Sequence, residues 1–328
     1  MKSGLEELRA RGFIQQCTNV AELEKALASE TVSFYCGFDP TGPSLHAGHL
    51  IPLFAMAHLN RAGHRAIALV GGGTALIGDP SGKSEMRKMQ TKEQIASNAE
   101  HIKGQIAKFI DFDSGSAVLV DNAEWLNGLN YIDFLRDIGR HFSVNRMLSF
   151  ETYKIRLETG LSFIEFNYQL LQSYDFLTLF QREGCKLQVG GDDQWGNIVS
   201  GADLTRRIEG AEVFGLTFPL VARSDGKKMG KTEKGALFLD PDVTSPYEFF
   251  QYWRNVADPD VKKFLMLYTF LPVEEVEKLG ELEGQEINRA KEVLAYELTA
   301  IVHGAKEATK AKEAARAAFS TGPGSTES

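Results

Sequence analysis

Two histidines three residues apart follow a strand-like segment near the start of the chain. His46 and His49 lie in "FDPTGPSLHAGHL" (38–50), with Gly48 between them. A helix that begins near His46 would present unpaired N–H groups and the positive end of its dipole, which suit phosphate. A zinc site would need a third ligand, and no Cys or His cluster lies nearby. The turn therefore predicts a phosphate or nucleotide contact, with plain packing as the alternative.

A second group of cations lies in a polar, glycine-flanked loop much further along. "SDGKKMGKTE" (224–233) carries Lys227, Lys228 and Lys231. Most lysine-rich surface loops only favour solubility. A mobile loop with two lysines three residues apart is also suited to closing over a triphosphate, because each ammonium group is a strong point charge.

Two glycine-rich stretches imitate phosphate-binding motifs without matching them. "GDPSGKS" (78–84) lacks the first glycine of the phosphate loop, because Ile77 is there, and "GGGTALIG" (71–78) has Leu76 where a dinucleotide motif needs its third glycine. The glycines predict either a tight turn or a backbone that a ligand approaches closely. Lys83 and Arg87 could reach an anion or form a solvated face.

Composition indicates a globular protein with ordinary core-forming capacity. The 328 residues are 43% hydrophobic and 24% charged, with a net charge of −8. This balance argues against a generally basic nucleic-acid coat, although a local basic patch remains open. The three cysteines are far apart, which favours a reducing compartment and a cytoplasmic location. No apolar run is long enough to predict a membrane span.

Strand-like and helical patterns alternate over the first two thirds of the chain. Strands are predicted at 32–38, 66–72, 117–121 and 186–191, and helices at 48–62, 91–110, 131–142 and 194–208. This alternation predicts a Rossmann-like α/β fold, a parallel sheet with helices on both faces. From 245 to about 320 the pattern is helical only. The polar residues just after each strand are the candidates for a ligand site.

A helix predicted from 162 onward carries a polar stripe on a largely apolar background. "SFIEFNYQLLQSYDF" begins with Ser162 and Glu165, the spacing of a capping box. Tyr168, Gln172 and Asp175 are spaced four and three apart, so they share one face. The stripe predicts either a hydrogen-bonded core network or a polar ligand pocket.

"HAGH" and "KMGKT", in this order on an alternating pattern, resemble the HIGH and KMSKS signatures of class I aminoacyl-tRNA synthetases. Ala47 replaces the second residue of the first signature, and Gly230 and Thr232 replace the two serines of the second. "YCGFDPT", "LIGDPSGK", "FNYQLLQSYDF", "GGDDQWGN" and "FGLTFPL" further resemble bacterial-type tyrosyl-tRNA synthetases, from about residue 30 to 320.

The resemblance implies roles for residues at matching positions. Tyr35 and Asp175 are expected to hold the phenol of tyrosine, and Tyr168, Gln172 and Asp79 to surround its ammonium group, with Gln194 also in the tyrosine site. His46, His49, Lys228 and Lys231 are expected to act on the ATP phosphates, with Lys83, Arg87 and Thr41 as further catalytic candidates. The other expected nucleotide contacts are Gly37, Asp39, Gly48, Gly191, Asp193, Met229 and Thr232.

The implied reaction has two steps. The tyrosine carboxylate attacks the α-phosphorus of ATP to give tyrosyl-adenylate and pyrophosphate, and a ribose hydroxyl of tRNA(Tyr) then accepts the tyrosyl group. Mg²⁺ is expected as an ion that bridges the ATP phosphates, without a protein cage of its own. L-tyrosine, ATP and tRNA(Tyr) are thus the implied partners, and the resemblance further implies a homodimer.

The predicted domain order follows from the same patterns. Residues 1–222 form the catalytic domain, 223–244 the KMSKS-type loop and linker, 245–320 a helical domain, and 321–328 a disordered tail rich in Ser, Thr, Gly and Pro. The bacterial-type family continues into a small basic RNA-binding module, and no basic segment follows "FSTGPGSTES" here. We therefore expect normal adenylate formation and impaired charging of tRNA.

Three rival functions are compatible with parts of the pattern. A tryptophan-specific relative would share the fold, but Tyr35 opposite Asp175 favours a phenol over an indole. A small-molecule nucleotidylyltransferase also uses an H-x-G-H element, but it would not explain the helical region after 245. A non-catalytic RNA-binding scaffold would not need both the histidine and the lysine pair.

Overall fold

The computed structural model describes residues 4–81, 89–226, 229–232 and 235–320, and the side chains of 231, 232, 319 and 320 are not described. Its strands are β1 (Gln16–Cys17), β2 (Ser33–Phe38), β3 (Arg65–Val70), β4 (Ala117–Asp121), β5 (Cys185–Gly191), β6 (Phe214–Phe218), β7 (Lys231–Thr232) and β8 (Gly235–Ala236). The first six form one sheet in the order β1-β6-β5-β2-β3-β4, and the last two form a hairpin.

Helices make up most of the remainder. They are α1 (Gly4–Arg11), α2 (Val20–Ser29), α3 (Leu50–Arg61), α4 (Lys92–Ile106), α5 (Ala123–Leu126), α6 (Tyr131–Asp137), α7 (Val144–Leu148), α8 (Glu151–Thr159), α9 (Phe163–Glu183), α10 (Trp195–Glu209), α11 (Pro246–Arg254), α12 (Val261–Tyr268), α13 (Val273–Gly280), α14 (Ile287–His303) and α15 (Ala305–Ser320). None of the helices described is long and apolar enough to span a bilayer.

The predicted parallel α/β sheet is confirmed. Strands β2 to β6 pair in parallel, and only the two-residue β1 runs antiparallel, at the edge beside β6. In β3 every residue from Ala66 to Val70 is buried. Since alternate side chains of a strand point to opposite faces, both faces of the sheet are covered.

The chain clusters into two compact units. The first contains the described residues within 1–9, 13–43 and 55–220, and the second those within 10–12, 44–54 and 221–328. The proposed boundaries at 222, 244 and 320 stay a prediction, and 321–328 lies outside the described residues. The core of the second unit is aromatic, with the Trp253 and Tyr268 rings 5.2 Å apart.

Helix α9 begins and ends where its sequence indicates. The Ser162 hydroxyl accepts from the Glu165 N–H, the reciprocal bond of the capping box is present, and Gly184 closes the helix in the left-handed conformation (φ 62°). Glu165 is also paired with Arg156, at 3.0 Å, and each side chain is only 3% exposed. The buried pair thus fastens α8 to the start of the helix that carries the polar stripe.

We predict that Arg156→Ala lowers the free energy of unfolding by about 3–5 kcal/mol, because it leaves the Glu165 carboxylate buried without its partner. Burial alone would raise the pKa of Glu165, but hydrogen bonds from Arg156 and Ser162 outweigh it and hold the pKa below its ordinary value. This stabilisation is present above the ordinary glutamate pKa and is lost as pH falls through the lower folded value.

Chemical denaturation at neutral pH, with Lys25→Ala as the control, measures the effect. Lys25 forms an exposed pair with Glu22, and its loss should change stability far less than the loss of Arg156. An equal effect of the two substitutions would contradict the role given to the buried pair.

Candidate active site

In the first unit, polar residues gather where the strand order reverses. Strands β2, β3 and β4 follow one another in one direction from β2, whereas β5 and β6 lie on its other side. Asp39, Thr74 and Asn122 follow the carboxyl ends of β2, β3 and β4. Ligands of open parallel sheets bind at such a switch point, so the placement agrees with the position predicted from the strand pattern.

The carboxyl group of Asp175 is buried and held by two side-chain donors. The Trp125 indole N–H donates to Oδ1 at 2.7 Å, and the Asn122 amide donates to Oδ2 at 3.0 Å. Burial raises the pKa of Asp175 to about 8, although both hydrogen bonds lower it, and the charges of Asp39 and Asp121 raise it further. A third donor, such as a ligand hydroxyl, would favour the charged carboxylate in the same way.

Tyr35 presents a buried hydroxyl beside this carboxylate. Its side chain is 1% exposed and packs edge-on against Phe176, with the ring centroids 5.4 Å apart. Within the part of the chain that the structure describes, the hydroxyl has no hydrogen-bond partner. Burial and the charge of Asp175 both raise the pKa of Tyr35 well above its ordinary value, so the group stays a neutral donor and acceptor.

A continuous chain of hydrogen bonds joins Tyr168 to Asp175. The Tyr168 hydroxyl donates to Asp39 Oδ2 at 2.8 Å, and the Thr74 hydroxyl donates to Asp39 Oδ1 at 2.7 Å. The Asn122 amide donates both to the Thr74 hydroxyl, at 2.9 Å, and to Asp175. Two members of the polar stripe of α9, Tyr168 and Asp175, are therefore joined through residues that follow three strand ends.

The glycines after β3 make room for this network. A Cβ on Gly71 would lie 1.9 Å from Asp39 Oδ1, and one on Gly72 would lie 2.4 Å from Asp121 Oδ1. The approaching groups are carboxylates of the protein itself. The expected turn is present at residues 72 and 73, and the close approach of a ligand to these glycines stays a prediction.

A second network surrounds Asp79 in the same unit. Gln194 donates to Asp79 Oδ2 at 2.7 Å, and the Ser81 N–H donates to Oδ1 at 2.9 Å. Asn197 donates to the side-chain oxygens of Gln194 and Gln172, each at 3.1 Å. Asp79 and Gln172, expected around the substrate ammonium group, and Gln194, expected in the tyrosine site, are thus linked through Asn197, which the sequence did not single out.

In the second unit, the turn at residues 46–49, called the histidine turn below, caps its own helix. His46 Nδ1 accepts from the Gly48 N–H at 3.1 Å, and His49 Nδ1 accepts from the His46 N–H at 3.1 Å. His46 caps a 3₁₀ turn, Ala47–His49, from which α3 continues. Because Nδ1 accepts in both rings, Nε2 carries the proton of each neutral imidazole and can donate.

Gly48 has a local reason to be glycine. A Cβ there would lie 2.8 Å from the Cε1 atom of His46, so a larger residue would disturb the cap. The expected approach of a base or ribose to Gly48 remains a prediction.

The other candidates vary in how far the structure describes them. The Thr41 carbonyl accepts from Gln90 at 2.9 Å, and a Cβ on Gly191 would lie 2.6 Å from Asp193 Oδ1. Gly37 is exposed, and Met229 is buried. Lys83, Arg87 and Lys228 lie outside the described residues, as do the side chains of Lys231 and Thr232.

Three residues of these networks were missed in the sequence. Asn122 and Trp125 follow β4 directly in "DNAEW", and Asn197 lies in the first turn of α10. The rule that polar groups after a strand deserve scrutiny would have identified the first two. Nothing in the local pattern distinguishes Asn197 from an ordinary helix-surface amide.

Comparison with known proteins identifies similar chains. Residues 27–320 match the model of a family described as class I tRNA synthetases (W and Y). A tyrosine–tRNA ligase of Caldanaerobacter subterraneus subsp. tengcongensis is 60% identical over 320 residues, which cover 98% of this chain and 79% of the relative. One from Treponema denticola is 60% identical over 322 residues, with the same coverage of both chains.

Solved structures agree with this similarity. A C-terminally truncated mitochondrial tyrosyl-tRNA synthetase from Aspergillus nidulans is 31% identical, with a TM-score of 0.87 over 97% of this chain and 95% of that one. A tyrosyl-tRNA synthetase from Archaeoglobus fulgidus, complexed with L-tyrosine, is 19% identical, with a TM-score of 0.69 over 94% of this chain and 99% of that one. The second likeness concerns the fold alone.

The raised pKa of Asp175 predicts a pH dependence of stability. Between the ordinary aspartate pKa of about 4 and the folded value of about 8, the folded state holds a proton that the unfolded state has lost. Stability contributed by this group therefore falls as pH rises across that window, by about 1.4 kcal/mol per pH unit. In Asp175→Asn this fall should be absent.

Denaturation midpoints at pH 5 and pH 7.5 test the expectation. Asp133→Asn serves as the control, because the Asp133 side chain is 62% exposed. If the pH dependence of Asp175→Asn matches that of the unsubstituted chain, Asp175 does not titrate in this range.

Proposed function

The chain belongs to the tyrosine–tRNA ligases among the class I aminoacyl-tRNA synthetases, and on that premise we propose a residue-level account of its two-step reaction. The chain activates L-tyrosine with ATP to tyrosyl-adenylate and pyrophosphate, and then transfers the tyrosyl group to tRNA(Tyr). The observation that carries the proposal is the burial of the Tyr35 hydroxyl together with that of the Asp175 carboxyl group, whose charge raises the pKa of Tyr35. The Tyr35 hydroxyl has no hydrogen-bond partner within the described residues.

A phenol suits this pair in both of its hydrogen-bonding roles. The substrate hydroxyl donates to Asp175 and accepts from Tyr35, so that each buried polar group gains a partner. Phenylalanine would leave both unpaired. Asn122 and Trp125 hold the carboxylate in place and leave its remaining acceptor directions to the ligand.

The substrate ammonium group is assigned to Tyr168, Gln172 and Asp79. Asp79 supplies negative charge, and the hydroxyl of Tyr168 and the amide oxygen of Gln172 can accept from N–H groups. Gln194, which donates to Asp79, completes the tyrosine site. Because the carboxylate of the substrate tyrosine adjoins its ammonium group, binding of the ammonium group also positions that carboxylate for attack on ATP.

The first step needs alignment and charge neutralisation but no protein nucleophile. A carboxylate oxygen of tyrosine forms a bond to the α-phosphorus, the bond to the bridging oxygen breaks, and pyrophosphate leaves. His46 and His49 donate from Nε2 to the phosphates, and Lys228 and Lys231 neutralise the charge that develops on them. Lys83, Arg87 and Thr41 are assigned to the same phosphates. Gly37, Asp39, Gly48, Gly191, Asp193, Met229 and Thr232 are assigned to the nucleotide.

Mg²⁺ is proposed to enter with ATP. It prefers phosphate oxygens and water and does not depend on an all-protein cage. No cluster of three or more His, Cys, Asp or Glu side chains fit for a metal ion occurs in the described residues. The ion would neutralise part of the phosphate charge, and the protein would hold it through the nucleotide.

Transfer to tRNA is proposed to be the weaker step for this 328-residue polypeptide. Its net charge is −8, and binding of a polyanion gains free energy from each cation that displaces a counterion. Adenylate formation involves only small ligands and does not depend on the free energy of counterion release from tRNA.

One preparation suffices to test the proposed function. ATP–pyrophosphate exchange is measured with each of the twenty amino acids, and tRNA charging is measured alongside. Exchange that depends on tyrosine, together with slow charging, is the expected result. Equal exchange with tryptophan or no exchange at all would refute the assignment, whereas rapid charging would refute only the weak second step.

We predict that Tyr35→Phe lowers the tyrosine-over-phenylalanine ratio of kcat/KM about tenfold, because loss of one partner of a buried group costs on the order of 1–3 kcal/mol. Tyr153→Phe is the control, since it removes a buried hydroxyl that donates to the Phe166 carbonyl. An unchanged ratio for Tyr35→Phe would place the phenol elsewhere.

Alanine at His46, His49, Lys228 or Lys231 should slow adenylate formation about 100-fold, while the tyrosine dissociation constant stays within about threefold. These groups are proposed to act on the leaving phosphates, where each preorganised donor contributes about 3 kcal/mol. Single-turnover kinetics gives the rate, and exposed His101→Ala is the control. A raised KM for tyrosine at an unchanged rate would exclude the phosphate role.

A homodimer is proposed from an apolar surface of the first unit. Among the described residues, exposed large apolar side chains are concentrated between 131 and 163, including Ile132 (67% exposed) and Phe163 (71% exposed). Phe163→Asp should therefore shift sedimentation towards monomers at micromolar concentration. Met89→Asp, at a site 72% exposed but outside this surface, should not. A monomeric unsubstituted chain would contradict the proposal.

A further inference from the structure

In the second unit, the chain after the lysine-rich loop returns to the histidine turn. The Leu237 N–H donates to the Gly230 carbonyl at 2.7 Å, and the Ala47 N–H donates to the Leu237 carbonyl at 2.8 Å. The Leu239 N–H donates to the Leu45 carbonyl at 2.9 Å. Gly230, at the start of the β7–β8 hairpin, is thus tied to Ala47 through one intermediate residue.

Gly230 also touches Ala47 directly. Its φ is 72°, a conformation that favours glycine, and a Cβ built on it would lie 2.6 Å from the Ala47 Cβ. A side chain on Gly230, or a larger one on Ala47, would separate the two segments. These are two of the positions at which the sequence departs from the HIGH and KMSKS signatures, so both departures belong to one steric contact.

Tyr252, on α11, holds the same segment from another side. Its hydroxyl accepts from the Gly230 N–H at 3.0 Å and lies 3.6 Å from the Met229 sulfur atom. Its ring packs edge-on against Trp253, with the centroids 5.2 Å apart, and Met229 is buried. The backbone at 229 and 230 is therefore fixed by a hydrogen bond, a buried side chain and a close contact.

We propose that Tyr252 and the Ala47–Gly230 contact are positioning groups that preset the lysines flanking Met229 and Gly230 for the ATP phosphates. The inference rests on the proposed phosphate role of Lys228 and Lys231, which lie on the two sides of this anchor in the sequence. None of the three positioning groups needs to touch ATP. Their loss should therefore lower the rate of adenylate formation at saturating ATP without changing tyrosine binding.

Gly230→Ala tests the contact, with Gly226→Ala as the matched control. Gly226 lies in the same loop at a φ of 78°, but a Cβ there would meet no atom of the described residues within 4 Å. Both substitutions impose the same backbone strain, and only the first creates a collision. Gly230→Ala should lower the single-turnover rate at least tenfold, and Gly226→Ala less than threefold, with tyrosine dissociation constants within twofold.

Ala47→Gly provides the rescue. In the double variant Ala47→Gly with Gly230→Ala, the collision is removed, so the rate should recover at least threefold over Gly230→Ala alone. Equal rates for Gly230→Ala and Gly226→Ala, or no recovery in the double variant, would overturn the proposal.

Tyr252→Phe tests the hydrogen bond without a steric change and remains informative if Gly230→Ala fails to fold. It should lower the saturating rate at least fivefold and leave tyrosine binding within twofold; an unchanged rate would overturn the role of Tyr252. Lys228→Ala, measured in parallel, separates the positioning role proposed here from the phosphate role of the lysines. If Lys228→Ala lowers the rate of adenylate formation while the variants at Gly230 and Tyr252 keep a normal rate, only this inference is overturned. If Lys228→Ala itself keeps a normal rate, the proposed phosphate role is overturned.

Discussion

The buried carboxyl group of Asp175 is the constraint on which the rest of the candidate site depends. Ionising a carboxyl group in the interior is costly unless donors surround it, and Trp125 and Asn122 offset part of this cost by supplying one donor to each oxygen. These donors come from the segment after β4, whereas Asp175 lies in the middle of α9. The carboxylate can therefore be held only if the sheet edge and the helix are both in place. This coupling explains why the start of α9 is itself fastened by a capping box and a buried ion pair.

Negative charge accumulates around Asp175 because the side chains of Asp39 and Asp121 also lie at strand ends. Asp39 receives hydroxyl donors from Tyr168 and Thr74, and Asp121 approaches Gly72 so closely that no side chain fits there. The surrounding negative charge opposes ionisation of Asp175, and burial opposes it more strongly. A site built in this way favours ligands that bring donors or positive charge. The phenol group of tyrosine brings a donor, and its ammonium group brings donors and positive charge.

The sequence predicted the periodic features well. The buried strands β2 to β5 and the capping box of α9 depend on local patterns, and the structure places them within one or two residues of the expected bounds. The predicted helix at 131–142 instead ends at Asp137 and continues as a 3₁₀ turn, and the two-residue β1 has too few residues for any periodicity. Asn122 and Trp125 could have been found because they follow β4, whereas Asn197 was missed because its role arises from contacts between distant segments. The histidine turn was expected to present its N–H groups to a ligand, but its own imidazoles accept two of them.

The central proposal is that two donors hold the Asp175 carboxyl group in place for the substrate hydroxyl. Trp125→Phe removes one of these donors and keeps an aromatic ring at the site. Calorimetric titration of the unsubstituted chain and of Trp125→Phe, each with L-tyrosine and with L-phenylalanine, tests this claim most directly. The account predicts that tyrosine affinity falls about tenfold or more in the variant while phenylalanine affinity changes little, since only tyrosine uses the carboxylate. An equal loss for both amino acids, or no loss for tyrosine, would contradict it.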